Sequence, residues 1–391
     1  MTLLFTEYPE KNEQSLSAQI GAATRARMDV LFGDAEKALR DTHAKTQVCV
    51  QGTLEILDFD AEAIKQTVVK TAGLSPQQAA SINLKQGLFA QPRQYPVWLR
   101  FANGRTTVEN DYEDDTRSIS VKIMDVAGER LTASHETHTQ DLILQNGDIF
   151  FTRSIRDYFS FFRAISAAKW RVLLWLIFHP KQKNALKTIT SHAPKSLLTE
   201  RYWSGSASAL GLPDNFDPAK TGHVPVTYPL VVKYALTPVS SQPPHAPLKR
   251  EARPESDRAQ AKESGAPDNY YRKELIQALA QPEATYCWDL QIQPQTDVAM
   301  SIDDVTVAWE ETQAPFFTVG RLKVSHQAVN FEAQCDFCEN LRFSPWNGLA
   351  VHRPVGSLNR LRESIYAIVG QYRHQKQQLD YQEPTGVETF N

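Results

Sequence analysis

The sequence predicts an α+β fold, with an antiparallel sheet at its centre and helices flanking it. Three observations predict it. Runs rich in β-branched and apolar residues recur along most of the chain, helical patterning is confined to a few blocks between and after them, and 41% of the 391 residues are hydrophobic, enough for a large core.

Taken in order, residues 1–40 read as helical, with Ala, Glu and Arg scattered through 15–40. The first strong strand is Thr46–Phe59, whose partial alternation and β-branched content suit a pleated, half-buried surface. Further strands are expected at Val97–Ala102, Ser118–Met124, Asp141–Leu144, Leu230–Ala235, Tyr286–Ile292 and Phe316–Val324. Helices are expected within 151–200, 270–280 and 357–377. Residues 238–268 are proline-rich, charged and without an apolar period, so they read as a long exposed insertion within one domain. This divides the chain into a helical arm at 1–39, a main domain at 40–377 and a tail at 378–391.

Composition excludes several classes. A net charge of −3 gives no global basic field, so nucleic acid is not an expected partner. The four cysteines, Cys49, Cys287, Cys335 and Cys338, are too few and scattered for a disulfide framework, and a reducing, cytoplasmic setting is the expectation. The N-terminus has neither the basic start nor the apolar core of a secretory signal. Cys335-Asp-Phe-Cys338 has the spacing of a redox or zinc pair, but no second pair follows it. His135-Glu-Thr-His138 spaces its histidines three apart in a polar stretch, which reads as a solvated turn. No glycine-rich phosphate loop and no nucleophile elbow are present. The longest apolar run, Val172–Phe178, is too short to cross a bilayer, which takes about 20 residues. A buried core helix is the expectation there; with Tyr158–Phe162, the alternative is an interfacial helix or the wall of a channel for an apolar substrate.

Two patterns point to chemistry. In the 357–377 helix, Arg362 precedes Tyr366 by one turn and Arg373 follows two turns on, so a phenol would share a face with two guanidinium groups. A fixed positive charge beside a phenol favours the phenolate, and a phenolate is a haem ligand. Gly370, one turn past Tyr366, would let a flat macrocycle approach the helix. The second pattern is Arg40-Asp-Thr-His43-Ala-Lys45, where a histidine at the mouth of a sheet, beside an arginine, suits a proton shuttle.

Together these resemble the catalase superfamily, whose members carry Arg-x-x-His-Ala-Lys ahead of the first barrel strand. Further similarities are Arg100-Phe101-Ala102, Asp115-Thr-Arg117-Ser-Ile-Ser-Val121-Lys122, the stretch from Asp141 to Phe151, Trp309, Val319-Gly-Arg-Leu322, and Arg362 with Tyr366 and Arg373, in the family's order. The resemblance implies an antiparallel catalase-like β-barrel holding haem b. Tyr366 would be the axial iron ligand, Arg362 its charge partner and His43 the distal base. Arg40, Arg100 and Arg373 would pair with propionates, Tyr158 would join the cofactor contacts, and Thr42 and Gln145 or Asn146 would complete the distal side. The implied activity is cleavage of hydrogen peroxide or an organic or lipid hydroperoxide. Alternatives are a non-catalytic haem binder or sensor, an allene oxide synthase-like dehydratase of fatty-acid hydroperoxides, or a haem-free scaffold. Lipid contact through 158–178 and a homo-oligomer are further expectations.

Three departures bear on activity. Thr42 stands where the family has valine, and its hydroxyl is expected to hydrogen-bond the imidazole and disfavour strict catalase turnover. Ala102 replaces the serine that supports the distal histidine. The distal asparagine aligns with Gln145 unless Asn146 takes its place. The sequence also stops soon after the Tyr366 helix, which is expected to mark a small catalase-related haem protein without the C-terminal extension of large catalases.

Overall fold

Alternation inside single strands decides which way the sheet faces. In Arg117–Ile123, Ile119, Val121 and Ile123 point to one side with the main apolar core, while Ser118, Ser120 and Lys122 point to the other. A computed structural model describes residues 2–131, 133–167, 169–192, 194–239, 268–378 and 381–390. Residues 240–267 of the proline-rich insertion therefore lie outside the described residues.

The strands are β1 (Thr6–Glu7), β2 (Thr46–Ile56), β3 (Arg93–Asn103), β4 (Arg117–Ile123), β5 (Gln140–Gln145), β6 (Tyr202–Trp203), β7 (Ser208–Ala209), β8 (Val226–Thr227), β9 (Val231–Pro238), β10 (Thr285–Pro294) and β11 (Phe317–Ser325). The helices are α1 (Glu13–Phe32), α2 (Ala61–Ala72), α3 (Pro76–Ser81), α4 (Ile155–Ala167), α5 (Lys169–Phe178), α6 (Pro180–Ser191), α7 (Tyr270–Leu279), α8 (Phe331–Asn340) and α9 (Ser357–Gln377). Antiparallel pairing runs β10–β11–β2–β3–β4–β5–β6–β9, and β9 pairs with β10 to close the ring. This is an eight-stranded barrel with flanking helices, the class read from the sequence. Closure removes the open edges that such a sheet would otherwise expose. Short β7 adds to β9, and β1 pairs separately with β8.

Phe101, Ile119, Leu144, Tyr202, Trp288 and Leu322 are among the buried side chains filling the barrel. The outer face of β3–β5 is buried too, which explains why every residue of β4 is buried despite its alternation. On that face the Lys122 ammonium donates to Glu136 at 2.5 Å and to Asp141 at 2.7 Å. A cation there is tolerated because two carboxylates meet it.

Helix α9 is anchored at its start by Arg360, which pairs with Glu7, with Glu13 and, at 2.9 Å, with Asp303. These contacts bind the N-terminal residues to α9, and Tyr372 donates to the Met28 carbonyl of α1 at 3.1 Å. The last described residues also lie on the barrel. Trp98 Nε1 donates to Glu388 at 2.8 Å, and the Glu383 carboxylate accepts the backbone N–H groups of Thr137, His138 and Thr139.

Two expectations are corrected. Cys49 and Cys338 form a disulfide between β2 and α8, with Cα atoms 6.1 Å apart, although 289 positions separate them. Cys338 is thus not the partner of Cys335, which is a free buried thiol. Only the fold brings two such distant residues together. The second correction concerns α5, which is not a core helix: Trp170, Leu173, Leu174, Ile177 and Phe178 are exposed, while Trp175 turns inward. No described helix is long and apolar enough to cross a membrane.

Candidate functional site

The site is built from one row of the barrel wall and one face of α9. Strand register aligns Thr46 with Ala102, Ala102 with Ser118, and Ser118 with Gln145. Directly paired residues share a face, so these four side chains form a ribbon across β2–β5. The next row on the same face contains Arg100, Ser120 and Ile143. Ser118, Gln145 and all three of that second row line a cavity of about 970 Å³ outside the barrel. Its opposite wall is α9, which contributes Arg362, Tyr366, Val369, Gly370 and Arg373 at helical spacing.

His43 lies in the loop before β2 and is half-buried, with φ of 57°. That left-handed conformation is uncommon outside glycine and is maintained here by contacts on both sides of the residue. Its N–H donates to the Gly104 carbonyl at 3.1 Å, and its own carbonyl accepts from Arg100 Nη2 at 2.7 Å. The ring Nδ1 lies 2.9 Å from Ser118 Oγ. Ser118 Oγ also lies 3.3 Å from the Ala102 carbonyl, which can only accept. A hydroxyl proton given to that carbonyl leaves Oγ to accept from Nδ1–H, with Nε2 unprotonated; the ring also hydrogen-bonds the Asn103 backbone. Burial, and then Arg100 and Arg362, push the imidazole pKa down to about 3, so the ring is neutral near pH 7.

This corrects two readings of the distal side. The serine missing at Ala102 is replaced by a hydroxyl on the residue paired with it, Ser118. The imidazole's partner is Ser118 rather than Thr42; Thr42 lines the cavity, and none of the hydrogen bonds among the described residues joins it to the ring. Of the two amides, Gln145 faces the cavity and donates to the Ile149 carbonyl at 2.8 Å. Asn146 points away and accepts the Arg117 N–H at 2.7 Å. His135 also lines the cavity, and among the described residues no cluster of three or more His, Cys, Asp or Glu side chains could hold a metal.

Sequence reasoning missed Glu339, the last but one residue of α8. Its carboxylate meets Arg40 Nε at 3.4 Å, Arg100 Nη2 at 3.1 Å and Arg373 Nη2 at 2.8 Å, and accepts from Thr46 Oγ1 at 2.5 Å. Burial alone would raise its pKa, but Arg40, Arg100 and Arg373 overcome that and hold the carboxyl well below the usual range. Burial lowers the pKa values of Arg40 and Arg373, each helped by the other guanidinium groups nearby. Arg40 Nη2 also donates to the carbonyls of Cys338 and Leu341 at 2.9 and 3.0 Å. The Cys49–Cys338 bond fixes α8 beside this cluster. No motif marked Glu339, because it lies in a helix the sequence reading did not expect.

Arg362 Nη1 donates to Ser206 Oγ at 3.2 Å. Tyr158, on α4, lines the cavity and stacks on Phe162 with centroids 6.3 Å apart; burial, and then Asp41, push its hydroxyl pKa well up. Phe150, Phe151, Phe161, Phe162 and Ile165 make the adjoining wall apolar.

No protein-family model matches the sequence, and no curated protein does. Solved structures do match. A bacterial catalase superposes with a TM-score of 0.60 at 16% identity, over 88% of this chain and 59% of that one. A fungal catalase gives 0.58 at 17%, over 88% and 61%, and catalase A from Saccharomyces cerevisiae gives 0.62 at 15%, over 93% and 67%. The fold is catalase-like. At these identities the likeness concerns the fold alone, and the chain spans about 60% of the length of the first two structures.

The residues present fit a haem. Gly370 borders the cavity, and a Cβ added there would meet nothing within 4 Å. Three guanidinium groups against one carboxylate leave two positive charges beside the cavity, and Arg40 Nε has no hydrogen-bond partner of good geometry. A ligand with two carboxylates complements that charge.

Proposed function

We propose that the protein is a haem b-dependent hydroperoxidase acting on organic hydroperoxides in preference to hydrogen peroxide. The observation that carries this reading is the convergence of Tyr366, His43 and the Arg40–Arg100–Arg373 cluster on one cavity. When bound, haem would supply a ferric centre that supports O–O cleavage, with an external organic reductant providing the two electrons that complete the hydroperoxide's reduction.

The chain's own residues do the rest. Tyr366 would ligate the iron through its phenol oxygen, and Arg362, one turn away on the same face, would offset negative charge on that oxygen. Arg40, Arg100 and Arg373 would hold the propionates, with Glu339 keeping the cluster from carrying three unbalanced charges. His43 Nε2 accepts the hydroperoxide proton and returns it to the departing oxygen, while Ser118 holds Nδ1–H and so fixes the tautomer. Gln145, its amide nitrogen engaged by Ile149, lines the distal side. The wall of Phe150, Phe151, Phe161 and Phe162 favours an apolar alkyl group over a second small peroxide.

An absorption spectrum of the purified protein tests this. A high-spin ferric tyrosinate spectrum, abolished in Tyr366→Phe, is expected, and consumption of a fatty-acid hydroperoxide should exceed oxygen release from hydrogen peroxide. Protein reconstituted with haem that shows no such spectrum overturns the reading.

A further inference from the structure

Helix α5 carries an apolar stripe with no protein partner among the described residues. Trp170, Leu173, Leu174, Ile177 and Phe178 fall at i, i+3, i+4, i+7 and i+8, and are 59%, 61%, 43%, 56% and 76% exposed. Scattered apolar residues on a surface need no explanation, whereas five on one helical face do.

The charges around the stripe are one-sided. Exposed Arg163 precedes it, Arg171 lies within it, and exposed Lys181, Lys183 and Lys187 follow on α6. Between Arg153 and Thr199 the only acidic residue is Asp157, which is buried and accepts from Gln182 Nε2 at 2.8 Å. The exposed surface of this segment is therefore purely cationic, in a chain whose net charge is −3. Arg171 lies over the Trp170 ring at 5.3 Å, an arrangement in which a guanidinium reaches a polar layer from an apolar base.

The inner side of α5 backs onto the cavity. Trp175 packs edge-on against Phe161 at 5.1 Å, Phe161 against Phe151 at 4.8 Å, and Phe151 against Phe150 at 4.7 Å. The last three line the cavity, as does Ile165 of α4, which is also 43% exposed. One helical layer thus separates the exposed stripe from the cavity.

We propose that α4–α6 dock onto an anionic phospholipid bilayer, with the α5 stripe inserted at the acyl boundary and the basic side chains among the headgroups. Apolar insertion with cationic flanks is the chemistry of an interfacial helix, and the apolar stretch is too short to span. A second copy of the chain is the poorer occupant, since a two-fold contact would place these cations opposite one another. Resting on the hydroperoxidase reading, the surface also identifies the substrate class: a hydroperoxide on an acyl chain, reaching the cavity beside Ile165.

Flotation of the purified full-length protein with vesicles of phosphatidylglycerol and phosphatidylcholine tests the docking directly. Wild type should float with these and stay behind with phosphatidylcholine alone. Leu173→Glu/Ile177→Glu should remain unbound, and each of Lys181→Gln and Lys183→Gln should weaken partition about fivefold. The lysine variants keep the test decisive if the double variant fails to fold. Absence of flotation on anionic vesicles overturns the proposal, as does a dimer in sedimentation that Leu173→Glu/Ile177→Glu dissociates. Flotation does not depend on haem: lost flotation with an intact haem spectrum removes only the docking surface, and flotation without haem binding removes only the hydroperoxidase reading.

Discussion

The two walls of the cavity were assembled in different ways. The α9 wall comes from one segment, and its functional face is a matter of spacing: Arg362, Tyr366, Gly370 and Arg373 fall on one side because a helix repeats every 3.6 residues. The barrel wall gathers His43, Arg100, Ser118 and Gln145 from four places in the chain, and Glu339 of α8 pairs with Arg100 from outside the cavity lining. Its geometry is set by register and by contacts between elements. A wall of the first kind is legible in a sequence, and one of the second kind is legible only residue by residue.

Substitutions can break or sharpen this contrast. On the α9 wall, Tyr366→Phe should abolish the haem spectrum, the largest single effect. Beside the opposite wall, Glu339→Gln should cost the haem-free protein about 3–5 kcal/mol, because it leaves buried Arg100 and Arg373 and half-buried Arg40 without their carboxylate. Thermal melts with and without haem check it, and a smaller loss in the haem-loaded protein is expected if propionates share the cluster.

Ser118→Ala should lower hydroperoxide turnover roughly tenfold without removing haem, because Nδ1 loses the acceptor that fixes the tautomer. Rescue by Ser118→Thr, together with a change in the pH profile of turnover, separates positioning of His43 from a packing defect.

The haem-free protein should also lose stability steadily as pH falls from about 6.5. His43 and His352 are held neutral by burial, with pKa values pushed down to about 3 and about 4. Below pH ~6.5 the unfolded chain binds protons that the folded chain refuses, so folding stability rises with pH across this window. Glu339 adds a loss below about 4.3, since its carboxyl is held low in the folded state. Melting temperatures across pH 4–7 check this, and His352→Gln should flatten the upper part of the slope. Thr42→Val should have the smallest effect, changing oxygen release less than about twofold, because the imidazole's partner is Ser118. A large rise would return the controlling role to the Thr42 hydroxyl.

Much of the fold was legible for the same reason as α9. The strand runs at 118–124, 141–144, 286–292 and 316–324 each match an observed strand within a residue or two, 97–102 falls inside the longer β3, and the helix at 357–377 matches α9. Their periodicity is a local property, written into consecutive residues. Helices α2, α3 and α8 were not anticipated. That omission hid Glu339 and the second half of the Cys49–Cys338 pair. The apolar run in α5 was visible, but its exposure was not, because a short apolar segment carries the same pattern in a core as on a surface.

The sequence by itself determined the helical face that presents Tyr366 and the alternation that sends Ile119 and Val121 inward, since both follow from backbone periodicity acting on neighbouring residues. Tertiary structure alone decided that Ser118 would supply the hydroxyl absent from Ala102, that Glu339 would meet three arginines, and that Cys49 would bond Cys338. Those contacts join residues from 34 to 299 positions apart, or lie across a strand pair whose register was not written in either strand. Their free energy appears only once burial has removed the competing water, so no local pattern in the chain announces them.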